Sequence, residues 1–296
     1  IDLTAFIKSV HGHPLGSVVD ILAAEIDMAA SQSYPDAFAL RDSVAKQVIE
    51  LGTPSALENL GELKAMLPLV RQGRRKQAET VTIARSKAIP TLKITLEQLL
   101  RSAIKQPDAV KRTFGAFDKR LAQDIQHHGD KRIDSPEVVA SNFFRGIEEF
   151  LGAEYPRSII DLCDKIFLPL GIDVRTLDPK LTLSELSDMA EFRRRVDIVS
   201  KSSSARNVDM NSLPSWIVHR TLRSFYPDLE RHEGGELTDI YLATLALYAD
   251  LTFVDKRTME GIRRSRGKHD QFDRLVRRVE KSVHYSKVPM LLKKMR

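Results

Sequence analysis

The stretch LTDIYLATLALYADLTFVDKRT, residues 237–258, is strongly apolar, yet it opens on one carboxylate, Asp239, and closes on another, Asp255. Ile240, Leu242, Ala243, Leu245, Ala246 and Leu247 put apolar groups on nearly every face of a helix, as in an element buried on several sides. Thr238 is suited to cap that helix, because a threonine hydroxyl accepts one of the orphan N–H groups of the first turn, and an acid there is favoured by the helix dipole. After Tyr248, Ala249 and Asp250 comes Leu251-Thr252-Phe253-Val254-Asp255, rich in β-formers and without polar alternation, the pattern of a strand covered on both faces. Together these segments predict one α/β step of a parallel sheet.

Geometry then places the two acids. Ten helical steps advance the chain by about 15 Å, and four strand steps bring it back by about 13 Å. Helix start and strand end therefore meet, at the rim where open α/β sheets bind ligands. Two anionic oxygens there repel unless a proton or a cation lies between them, and hard ions such as Mg²⁺ or Mn²⁺ suit oxygen ligands.

The order acid, apolar helix, short apolar strand, acid resembles the carboxy-terminal half of PIN-domain nucleases, a superfamily of metal-dependent ribonucleases. The resemblance covers Leu213 to Ile262 and a weaker amino-terminal part. It implies a three-layer α/β/α fold with a parallel sheet, and metal ligation by Asp239 and Asp255. The family's usual strand end is Thr or Ser, any residue, then Asp or Asn; here Val254-Asp255-Lys256-Arg257-Thr258 puts the acid at the hydroxyl position.

The family also places acids in its amino-terminal half. In SVVDILAAEIDMAAS, residues 17–31, Val18, Val19, Ile21 and Leu22 suggest a strand and Glu25 the start of a helix, so Glu25, with Asp27 second, is the expected third ligand. IDLTAFIKSV at residues 1–10 resembles the helix after the family's first strand, so that strand and its Asp are expected upstream of Ile1. Glu236, after the turn-forming Gly234-Gly235, is a candidate further ligand. Cations follow the last acid directly. Lys256, Arg257, Arg263 and Arg264, with Arg220, are the candidate phosphate contacts, although a solvated face of Arg-Glu and Arg-Asp pairs explains the same run equally well.

Residues 56–211 differ in texture. LENLGELKAMLPLV, IPTLKITLEQLLRSAI and VVASNFFRGIEEFL carry apolar groups at three- and four-residue spacing, and prolines at 90, 107, 136, 156, 169 and 179 divide the region into helices of ordinary length. The expected organisation is a PIN-like domain of residues 1–55 and 212–296, interrupted by an all-helical insertion over 56–211 that ends in a flexible polar loop, SKSSSARNVDMNS at 200–212. Ser135-Pro136-Glu137 reads as a helix start.

Composition permits this assignment. The 296 residues suffice for one large or two ordinary domains, the net charge of +6 permits polyanion binding, and no apolar run reaches membrane-spanning length. The one cysteine, Cys163, excludes an internal disulfide, and its apolar setting favours a core thiol over a nucleophile. The expected compartment is the cytoplasm. The pairs His11/His13 and His127/His128 lack zinc-finger partners and read as loop histidines, RQGRRKQ at 71–77 as a solvated helix end, and Trp216 as helix packing. No phosphate-binding glycine loop occurs. The expected activity is endoribonucleolytic hydrolysis of RNA, or of DNA, with Mg²⁺ or Mn²⁺ held by Asp239, Asp255, Glu25 and Glu236. The other class is a noncatalytic PIN-like scaffold for nucleic acid or protein. A second copy of the chain and an inhibitory protein are the further partners considered; by resemblance the biological role is that of a toxin or of RNA processing.

Overall fold

The structure is a computed structural model that describes residues 18–51, 60–86, 93–102, 107–152, 156–199, 208–225 and 236–281, with positions 287 and 290. The expected helix at residues 1–10, His11 and His13, and Glu233 to Gly235 lie outside these residues. The protein is helix-rich with a small two-stranded parallel sheet. The chain divides into two compact units, one comprising Ile1–Met66, Arg195–Asp228 and Thr238–Arg296, the other Leu67–Arg194 and Leu229–Leu237. Among the described residues no helix is long and apolar enough to cross a membrane.

The first unit contains the 237–258 stretch from Thr238 onward. Helix α10 runs from Glu236 to Ala243 and tightens into a 3₁₀ turn over Thr244–Leu247; strand β1 follows at Leu251–Val254. Because the helix starts at Glu236, Thr238 sits inside its first turn and is not the cap. Helices α11 (Lys256–Ser265) and α12 (Asp270–Leu275) then carry the chain across to β2 (Arg278–Lys281), which pairs parallel to β1 from Leu251↔Arg278 to Val254↔Lys281. A parallel partner demands such a crossover. The Arg277 N–H donates to the Ala246 carbonyl at 3.0 Å and fastens the incoming strand to the 3₁₀ turn.

Helices α1 (Val18–Ser31), α2 (Ala37–Leu51) and α9 (Pro214–Phe225) complete the described part of this unit. The expected strand at Val18 to Leu22 is a correction: those residues are the first turns of α1. Ile21, Leu22, Glu25 and Ile26 are buried while Val19 is 59% exposed, which is helical spacing and not alternation. Alanines at 23, 24, 29 and 30 favour the helix that the two valines alone do not. The core gathers Ile21, Leu40, Trp216, Leu222, Ile240 and Phe272, all nearly inaccessible.

The second unit is helical, with one isolated antiparallel bridge, Thr95↔Thr182, among its described residues. Helices α3 (Leu60–Arg85), α4 (Leu96–Leu100), α5 (Pro107–His128), α6 (Pro136–Leu151), α7 (Ile159–Phe167) and α8 (Leu183–Val199) follow in order, the first and last crossing the unit boundary. Their starts are written in the sequence. Thr95 with Gln98, and Ser158 with Asp161, form reciprocal capping boxes. One core encloses Cys163, Phe167 and Leu186; another joins Leu121 and Ile125 of α5 to Ala140 and Phe144 of α6. Three local expectations change: His127 and His128 end α5 and are not loop residues, 71–77 is an exposed middle of α3 and not its end, and Met210–Ser212 is a 3₁₀ turn with Met210 buried.

Leu222→Ala, at a fully buried site, is expected to lower the unfolding free energy by about 2–5 kcal/mol, read as a lower urea midpoint. Ile198→Ala, at an 82% exposed position, should stay within about 0.5 kcal/mol.

Candidate functional site

The crossover from β1 builds a rim. Val254 ends the strand, and Asp255 turns back as the N-cap of α11, its Oδ1 accepting from the Thr258 N–H at 2.7 Å. Thr258 is buried, so the cap is anchored. Within the first turn of α11, the Arg257 guanidinium donates to Asp239 Oδ2 across 3.4 Å; the two side chains are 13% and 31% exposed. That bond joins the first turns of α10 to the start of α11. Asp239 is thus held against the first turn of the helix that Asp255 caps and on which Lys256 is exposed.

Comparison of the chain with protein-family models, with curated proteins and with solved structures returns no match.

Glu25 is not part of this rim. It lies within α1, is fully buried, and accepts three hydrogen bonds: from the Ser215 N–H at 3.1 Å, from Ser215 Oγ at 2.8 Å and from the Tyr248 hydroxyl. Burial raises its pKa to about 7, against the opposing pull of those donors. Its carboxyl therefore pins α1 to the start of α9 and to the residue after the 3₁₀ turn. Sequence reasoning missed Ser215 and Tyr248, which carry no local signal because they lie 190 and 223 positions away.

The remaining expected residues have local partners. Arg220 donates to Asn211 Oδ1 at 3.1 Å and lies 3.2 Å from His269 Nε2, which makes that nitrogen the acceptor. Arg263 and Arg264 both bond Glu260 at 2.9 Å, and the two guanidiniums hold its carboxyl down to about 2. Two of the four cations of α11 are thus spent on their own helix and a third on Asp239. Glu236 heads α10, and its side chain lies outside the described residues. No group of three or more His, Cys, Asp or Glu able to hold a metal occurs among the described residues.

Behind the rim, aromatic rings stack in a column. His219 lies between Trp216 (centroids 5.7 Å apart) and Tyr241 (5.1 Å), and the Arg195 guanidinium covers Tyr241 at 3.5 Å. Burial, then the nearby Arg223 and Arg195 charges, push the imidazole pKa down to about 3, so the ring is neutral. Trp216 is 1% exposed and packs in the core, as its helical context predicted. The spacing of Trp216 and His219, three apart on one helix, is the signal that points to this column.

Two measurements test these assignments. Because Glu25 has a raised folded pKa, its neutral form stabilises the protein fully below pH 4.5 and that contribution is lost as pH rises through about 7. Glu25→Gln should therefore remove a fall in unfolding free energy between those limits, leaving a flatter urea-midpoint profile. Asp255→Ala should cost about 0.5–2 kcal/mol through removal of the cap, measured by the same unfolding.

Proposed function

We propose that the chain is a PIN-like nuclease that hydrolyses phosphodiester bonds of nucleic acid, RNA in preference to DNA, at the rim of Asp239, Asp255 and Arg257. The observation that supports this reading is the bond from Arg257 to Asp239, between an acid in the first turns of α10 and the first turn of the helix that leaves the parallel strand β1; α/β proteins bind ligands at the carboxyl ends of such strands. The donor set suits a hard dication. Mg²⁺ keeps several waters and is held by one or two carboxylates, with substrate phosphates completing the shell. Asp239 and Asp255 are such a pair, whereas Glu25 is sealed in the core and is not a ligand. A bound Mg²⁺ or Mn²⁺ would supply Lewis-acid polarisation and an activated water.

The chain's own groups have defined parts in this scheme. Asp255 commits Oδ1 to its cap, and its side chain makes no other hydrogen bond among the described residues, so Oδ2 is available to a ligand. Arg257 partners Asp239 before substrate arrives and offers its fork to a phosphate, a geometry that a lysine lacks. Lys256 adds a point charge beside it.

The same bond also favours a second reading, a noncatalytic PIN-like scaffold, because a guanidinium on Asp239 neutralises the carboxylate that a cation would use. Labelled single-stranded RNA with Mn²⁺ separates the two. Wild type should cleave, and Asp239→Asn should be slower by more than about 100-fold, the upper end of what losing an outer-shell partner costs. Equal cleavage by both removes Asp239 from the chemistry; binding without cleavage selects the scaffold.

A further inference from the structure

The second unit carries a cluster of uncompensated positive charge. In α3, Arg71, Arg74 and Lys76 are exposed and make no ion pair among the described residues, in contrast to Arg263 and Arg264 of α11. The only acid within a helical turn of them is Glu79, three residues beyond Lys76, and it makes no hydrogen bond among the described residues. A side chain added at Gly73, between the first two cations, would meet open space, so this stretch is uncovered. One turn further along, α3 forms a wall of a cavity of about 500 Å³, whose other wall is α6.

The cavity is chemically mixed. Ile83, Val139 and Phe143 make it apolar, while Glu79 and Ser135 bring uncommitted polar groups. Ser135 is the N-cap residue of α6, yet its hydroxyl makes no capping bond, unlike those of Thr95 and Ser158. Arg75 closes one edge by pairing with Asp134. At about 100° per residue, Arg71 and Lys76 flank the face of α3 that brings Arg75, Glu79 and Ile83 to the cavity, whereas Arg74 lies on the far side. Cations flanking an aromatic-walled, partly polar pocket are how proteins hold single-stranded nucleic acid: phosphates lie on the cations and a base leaves the stack to meet the ring. A carboxylate in such a pocket accepts from an exocyclic amine, as carboxylates do from cytosine N4.

We propose that the groove between α3 and α6 is a subsite for single-stranded nucleic acid, with phosphates on Arg71 and Lys76 and an amino-bearing base in the cavity beside Glu79, Ser135 and Phe143. This rests on the reading that nucleic acid is the ligand, and it moves the main backbone grip from α11 to the helical unit. Uracil, which has no exocyclic amine, is the disfavoured base.

Fluorescence anisotropy of the whole protein tests this, with labelled single-stranded oligonucleotides of cytosine, adenine or uracil, titrated with salt in excess EDTA. Arg71→Gln/Lys76→Gln replaces exposed side chains only. It should weaken binding by more than tenfold and reduce the slope of log K against log salt by about 1.4, since each phosphate neutralised on a single strand adds about 0.7 to that slope. Glu79→Gln should narrow the preference for cytosine over uracil and leave the slope unchanged. Wild-type binding by the double variant overturns the proposal, as does displacement of the oligonucleotide by polyglutamate at equal charge concentration. Cleavage does not enter these readings. A wild type that binds through α3 without cleaving ends the nuclease reading and leaves the subsite; one that cleaves while the α3 variant binds normally does the reverse.

Discussion

The parallel pairing of β1 with β2 is the constraint from which the rim follows. Two strands pointing the same way cannot be joined by a tight turn, so the chain must leave β1, cross through α11 and α12, and return. The departure point is Asp255. Its carboxylate is recruited to satisfy an orphan N–H of α11, and that cap fixes the direction in which α11 leaves the strand. Arg257, two residues on and still in the first turn, is thereby aimed at Asp239. A single backbone requirement thus sets three charged side chains in relation to one another.

Local pattern made β1, α10 and the helices between residues 60 and 199 legible. Four consecutive β-formers bounded by acids identify a strand, and three-to-four spacing identifies a helix, whatever the rest of the molecule does. Glu25 escaped because its meaning is entirely nonlocal. A glutamate after ILAA looks like a helix-opening acid in isolation, and only the arrival of Ser215 and Tyr248 makes it a core hydrogen-bond acceptor. β2 escaped for a different reason. Arg-Val-Glu-Lys is short and charged, a composition that suits an edge strand and is indistinguishable by eye from a solvated basic helix.

Charge is the property that sequence inspection misplaces most readily. The run after residue 255 is dense in arginine, but Glu260 serves two of them, Asp239 a third, and the carbonyls of Asp273, Val276 and Arg277 are bonded by Arg266. Those guanidiniums act chiefly as structural donors, holding α11 and the crossover together. The shorter cluster in α3 has fewer cations and greater availability. Affinity for a polyanion depends on the charges left over after folding, and a count along the sequence cannot supply that number.

The three hydrogen bonds to Glu25 have a consequence for the order in which the molecule assembles on a ribosome. Helix α1 emerges first, but the serine and tyrosine that satisfy its carboxyl are made some two hundred residues later. Until then that helix cannot dock in its final seat, and its apolar stripe stays exposed to water or to a chaperone. The helical unit, almost wholly continuous in sequence, can consolidate during the interval. A nascent chain would therefore carry a consolidated helical unit before the unit around it can close, and that closure needs Phe272 and β2 as well as Tyr248 to clear the exit tunnel.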